Sequence, residues 1–243
     1  MKNMFEKNKK RTKLYCFSPE VMIVTFIIEI SLAIYSFFKS REKKSDMAIV
    51  ATLVFLAVFQ LSEYQICEGK DLLIWSRIGL VAITFLPVLG IYLISKLNKK
   101  SYLLKIGTVI AIATAMIFAF VPSAVQNATC GGNYIIFDVD SSIMGFYGYY
   151  YFGFLLIGIW ESLKGIKNEE SKSKIKESLK WFIIGYLSFI LPLTFTYIVI
   201  PATRVAVESI MCGFAVVFAL ILTFKIAPIY YEYVKYEPKK KNK

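Results

Sequence analysis

Seven stretches of about twenty mostly apolar residues, separated by short polar connectors, set the pattern of this chain. They are Pro19–Phe38, Met47–Ile66, Leu72–Leu97, Tyr102–Val125, Gly145–Leu163, Leu179–Ala202 and Ser209–Tyr231. A bilayer core is about 30 Å thick, and a helix rising 1.5 Å per residue needs about 20 apolar residues to cross it. The runs lack the alternation of a membrane β-barrel strand. The longest connector, residues 126–144, is too short to bury a core of its own. The pattern therefore predicts an all-α polytopic membrane protein: one bundle of seven transmembrane helices over residues 19–231, with basic tails at 1–18 and 232–243.

Charge adds an orientation. The chain holds 29 Lys and Arg against 17 Asp and Glu, a net +12. Seven crossings put the two ends on opposite sides. With the N-terminus outside, 20 of the 29 basic residues fall on the inner side and nine on the outer side. The positive-inside rule selects that arrangement, with the C-terminus cytoplasmic. The tail MKNMFEKNKKRTK, with six basic residues, runs against it. The first apolar stretch is too long for a cleavable signal and no small-residue cleavage site follows it. An integral protein of the cell membrane is expected, with anionic lipid headgroups as partners of its basic ends. The basic residues are spread over loops and tails, form no single reading surface, and do not predict a nucleic-acid partner.

Composition excludes other classes. Hydrophobic residues make up 57%, charged residues 19%, and mean hydropathy is +0.57, too apolar for a soluble domain. There is no histidine, so the commonest metal ligand and the usual neutral-pH proton carrier are missing. No GxSxG, HExxH, Walker or GxGxxG motif occurs, and every Asp lies in a connector, so no intramembrane aspartyl pair forms. No enzyme activity, cofactor or metal is expected. Asp138 and Asp140 in FDVDSS match only half of a calcium loop, and a solvated loop is the simpler reading.

Four cysteines stand at 16, 67, 130 and 212. In the N-out arrangement all lie near the outer side. Cys67 ends the second span and Cys130 sits in the long outer connector, so a Cys67–Cys130 disulfide would tie that connector down. Cys16 and Cys212 are the other candidates, and spacing alone does not fix the pairing. Asn127-Ala128-Thr129 is a glycosylation sequon in the same connector.

Polar residues inside spans are the candidate site. Ionisable groups at membrane depth are costly and face a bundle interior or a cavity. Glu29 lies near the middle of the first span. Gln60, Glu63 and Tyr64 share one face of the second. Arg77 lies in the outer third of the third, where it could pair with Glu63 across a short turn. Arg204 and Glu208 border the seventh from outside. Two readings follow. One is a receptor-like sensor or partner-binding module, with an outward polar pocket for a small ligand and a separate signalling partner at its inner loops. The other is a small transporter or channel whose pathway uses the same Glu and Arg residues. Structural ion pairs that fix helix register would produce the same pattern. The run Phe146–Phe152 reads as an interfacial aromatic belt.

Two segments carry a resemblance. Trp75-Ser76-Arg77-Ile78-Gly79-Leu80, followed by Phe85-Leu86-Pro87 and Leu93, resembles the third helix of the seven-transmembrane N-terminal sensor region of membrane histidine kinases. The connector Lys172 to Lys180 leading into Trp181-Phe182-Ile183-Ile184-Gly185 is similar to that family's approach to its sixth helix. The resemblance implies a ligand-sensing bundle that passes its signal to a cytoplasmic output. The kinase part has no counterpart after Tyr231, so a stand-alone sensor acting through a partner is the expectation.

Overall fold

The computed structural model describes residues 18–98, 102–131, 134–168 and 173–236. Cys16 and most of both basic tails lie outside them. Among the described residues, seven helices are long and apolar enough to cross a membrane: Pro19–Lys43, Ala48–Cys67, Leu72–Asn98, Leu103–Phe120, Ser141–Lys167, Ser173–Val199 and Val207–Tyr233. They follow the seven predicted spans. Large apolar side chains such as Phe38, Val109, Phe120, Phe195 and Ile198 stand more than 60% exposed on their outer faces. Water would penalise such faces, whereas lipid does not.

Helix α1 (Pro19–Lys43) is antiparallel to α2 (Ala48–Cys67) across a tight connector. Lys44 ends α1 in the left-handed conformation, φ 53°, and its amide bonds back to the carbonyls of Ser40 and Arg41. The third span is not one rod. It is α3 (Leu72–Thr84) and α4 (Leu86–Asn98), broken at Phe85. Pro87 lacks the N–H that would continue the ladder, which accounts for the break. The buried Tyr150 hydroxyl donates to the Thr84 carbonyl at 2.7 Å beside the break. Freed backbone groups in membrane helices are satisfied by neighbouring helices in this way.

After α5 (Tyr102–Phe120) comes an antiparallel hairpin, β1 (Val125–Cys130) and β2 (Ile135–Val139). Sequence patterning expected only a loop there. The remaining elements are α6 (Ser141–Lys167), α7 (Ser173–Val199), a short 3-10 turn Pro201–Val205, α8 (Val207–Ile221), a π-helical turn Leu222–Ile226 and α9 (Ala227–Tyr236). Asp140 caps α6 by accepting from the amides of Ser142 and Ile143 at 3.0 and 3.2 Å. That gives Asp140 a structural task in place of a calcium ligand, and no metal-holding group of His, Cys, Asp and Glu exists among the described residues.

The aromatic run at the start of α6 divides by face. Phe146 and Tyr149 point outward, as a belt would. Tyr147, Tyr150 and Tyr151 are buried and stack with Phe118 and Phe154. Between α4 and α6, Tyr186 of α7 fills a notch made by Gly90 and Gly158, where added methyl groups would collide with its ring and hydroxyl. Thus the two ends of the bundle differ. One carries the hairpin and the turn between α2 and α3. The opposite end, where α1, α4, α6 and α9 finish, carries Lys39, Lys43, Lys96, Lys164 and Lys167.

Candidate functional site

Under the hairpin, α1, α2 and α8 bring together most of the polar residues singled out in the spans. Glu29 is 0% exposed, Gln60 2% and Glu63 1%. Both Glu29 oxygens, Glu63 Oε1 and Gln60 Nε2 are buried without a hydrogen-bond partner. The Ser209 hydroxyl lies against the Glu63 carboxyl, and Glu29 and Glu208 are each close enough to Glu63 to interact with it electrostatically. Cys212, one turn below Ser209, is buried within the field of all three acids. Glu208 is half-buried in the first turn of α8, where the helix dipole favours an acid. The site offers carboxyl acceptors, one amide donor and one hydroxyl.

The hairpin is fastened over this cluster. Cys67 and Cys130 form a disulfide, with Cα atoms 5.1 Å apart, which joins the end of α2 to the end of β1. The Ile135 amide of β2 donates to Ser209 Oγ at 3.1 Å. One hydroxyl therefore touches both the roof and the acid below it. Asn127 and Thr129 of the sequon are exposed on β1.

Three other residues take different places. Arg77 does not pair with Glu63. Its Nη1 donates to the Ala119 carbonyl at 3.0 Å and its Nη2 to that of Pro122 at 3.5 Å, so it caps the end of α5. Four unsatisfied carbonyls at a helix C-terminus attract a cation more cheaply than a buried carboxylate does. Arg204 is exposed, donates to the Tyr197 carbonyl at 3.0 Å and lies over the Tyr197 ring, capping α7. Tyr64 is half-buried and packs against the core.

Below the acids lies a small cavity of about 30 Å³, bordered by Thr52, Gly90, Tyr151, Tyr186, Met211 and Cys212. It has room for a water molecule or two. The Tyr186 hydroxyl is buried without a partner beside it.

A second polar centre at the opposite end was not legible in the sequence. Asp46, in the connector between α1 and α2, accepts from the Tyr230 hydroxyl at 2.8 Å and from the Tyr92 hydroxyl at 3.1 Å, both on Oδ2. Its other oxygen accepts from the Ala48 amide at 3.2 Å, and its carbonyl accepts from the Ser40 hydroxyl at 2.9 Å. Tyr231 adds a bond to the Ser36 carbonyl at 3.3 Å. One aspartate thus ties α4 and α9 to the turn between α1 and α2. The partners are 46 and 184 residues away along the chain, so no local spacing announces them.

No family model matches the chain, and neither a curated protein nor a solved structure is detectably similar to it.

Proposed function

We propose that this protein is a receptor-like membrane sensor that reads a small ligand at its hairpin end and signals to a partner at its basic end. The carrying observation is the pair of buried carboxyls of Glu29 and Glu63, with both Glu29 oxygens and one Glu63 oxygen lacking a partner, beside Gln60 and Ser209. A polar group buried without compensation costs about 1–3 kcal/mol, and inside a membrane such groups mark function by default. The acceptors outnumber the donors, so a small cationic or donor-rich ligand fits best. The disulfide and the count of basic residues both favour the hairpin end as the outer one. The likeness of Trp75–Leu80 and Pro87 to the sensor region of histidine kinases points the same way.

A specific feature supports the second reading, a small transporter or channel. Thr25, Glu29, Ser36 and Ser40 recur along the buried face of α1, interrupted by Leu32 and Ala33, and lead to Asp46. Polar groups reaching both ends along one route are what a permeation path needs.

One experiment separates the two. Cysteine is introduced singly at 29, 60, 63 and 209, and in the Ser36 and Ser40 positions, with Cys16 and Cys212 replaced. Each is then labelled with a membrane-impermeant thiol reagent from one side at a time. Labelling from the hairpin side alone, ending near Glu29, supports the sensor. Labelling from both sides along the α1 face selects the transporter. No labelling at any position refutes both and leaves the acids as structural groups.

A further inference from the structure

Beside the Asp46 centre, α1 and the π turn before α9 enclose a groove of about 440 Å³. Ser36, Lys39 and Lys43 border it from α1, Thr223 from the π turn, and Tyr231 and Glu232 from α9. We propose that this groove is a binding site for the phosphate of an anionic phospholipid headgroup. It does not depend on the sensor reading.

Two independent features converge there. The first is a pair of buried hydroxyls. Ser36 is 0% and Thr223 2% exposed, and neither Oγ nor Oγ1 has a partner. A helical Ser or Thr ordinarily returns its hydroxyl to the carbonyl four residues back, as Thr25, Thr52, Ser62 and Thr84 do here. Ser36 and Thr223 do not, and both line the groove. Thr223 sits in the π turn, and single π turns inside α-helices are frequent at functional sites.

The second feature is charge at the mouth. Lys39 and Lys43 are each about half exposed and share Glu42, at 3.0 and 3.6 Å. Glu42 is 56% exposed, and ion pairs that open to solvent contribute little. A phosphate can therefore take over the ammonium groups at small cost. Glu232, the acid on the rim, is already held by Lys174 at 2.9 Å. The mouth is flanked by lipid-facing rings, Tyr35 with Phe224 at 6.1 Å and the exposed Phe37 and Phe38. Such rings sit at headgroup level. Basic pockets between transmembrane helices bind anionic headgroups by this combination of ammonium charge and hydroxyl donors.

The test uses the full chain in nanodiscs of phosphatidylcholine with and without phosphatidylglycerol, read by lipid retention in native mass spectrometry and by thermal midpoint. Phosphatidylglycerol should be retained preferentially and raise the midpoint. Lys39→Gln and Lys43→Gln should each cut the preference about fivefold, from roughly 1 kcal/mol per lysine near a membrane surface. Ser36→Ala with Thr223→Val should also lower it while leaving the midpoint in pure phosphatidylcholine unchanged or higher. The double variant Lys164→Gln, Lys167→Gln removes twice the charge of either single variant from the same end and should keep the preference. Equal retention of the two lipids overturns the proposal, as does an equal loss in the Lys164/Lys167 control. A matching midpoint rise from inorganic phosphate in pure phosphatidylcholine discs overturns the lipid assignment.

Discussion

Changing Tyr230 to Phe removes one oxygen from the Asp46 centre and leaves the ring in place. Tyr230 is 0% exposed and its hydroxyl donates to Asp46 Oδ2 at 2.8 Å. A hydrogen bond to a charged acceptor contributes about 1.5–3 kcal/mol net. Asp46 keeps its bonds from Tyr92 and from the Ala48 amide, so its carboxyl is not orphaned. The loss should therefore fall at the lower end, about 1.5–2 kcal/mol. For chains of 150–250 residues each kcal/mol moves the melting midpoint by about 2–4 °C, which gives a fall of about 3–8 °C. Tyr92→Phe should cost less, because Tyr92 is only half-buried and its bond is longer. The assay is thermal unfolding of the purified protein in detergent, followed by tryptophan fluorescence. Asp46→Ala should mask most of the Tyr230→Phe effect, giving a coupling of at least 1 kcal/mol in a double-mutant cycle (about half the expected loss). Equal melting of wild type and Tyr230→Phe, or additivity within about 0.5 kcal/mol, would refute the claim that this bond holds α9 to the connector.

Three further outcomes can be read with the same preparation. Tyr150→Phe should lower the midpoint by an amount equivalent to about 1–3 kcal/mol, since it strips the partner from the Thr84 carbonyl at the helix break. Gly90→Ala should cost about 1–3 kcal/mol by overpacking against the Tyr186 hydroxyl, and adding Tyr186→Phe should restore most of it. Alkylation after denaturation without reductant should modify Cys212 but neither Cys67 nor Cys130; Cys130→Ser should then destabilise by up to about 4 kcal/mol.

How much of this was legible varies with the kind of signal. Seven long apolar runs are a composition signal averaged over about twenty residues each, and the spans emerge within a few positions of the helices. Helix α6 runs past its predicted end and α7 begins before its predicted start because Lys164, Lys167 and Lys174 continue a helix into the polar zone as readily as apolar residues do. Pro87 is the sequence signal that accompanies the break at Phe85. The hairpin was missed because VQNATC and IIFDV are short, and a two-stranded unit depends on what it packs against. Gln60 and Glu63 were found by helical spacing and do meet Glu29. Arg77 was misassigned because sequence proximity to Glu63 says nothing of the α5 carbonyls more than 40 residues away. Asp46 carries no local mark, since its tyrosine partners lie in distant helices.

The geometry of α1 makes the relation between the two polar centres testable. Glu29 and Ser40, whose hydroxyl bonds the Asp46 carbonyl, are 11 residues apart within α1, and at 1.5 Å per residue the two centres lie about 17 Å apart along it. Thr25, Glu29, Ser36 and Ser40 recur at steps of four, seven and four, so all face the protein, while Val24, Ile27, Ile34 and Phe38 face outward. A helix with one polar face buried in this way cannot rotate without exposing hydroxyls to lipid. It can slide or tilt as a rod. A change at Glu29 would then reach Ser40, whose hydroxyl bonds the Asp46 carbonyl. Substitutions farther apart than about 10 Å, with no shared partner, normally add within about 0.5 kcal/mol. For Glu29→Gln and Tyr230→Phe we expect a departure from additivity of about 0.5–2 kcal/mol, the range found for coupled distant sites. Thermal midpoints of the wild type, the two single variants and the double variant measure it. Additivity would mean that the acid cluster and the Asp46 centre are independent, and signalling along α1 would lose its physical basis.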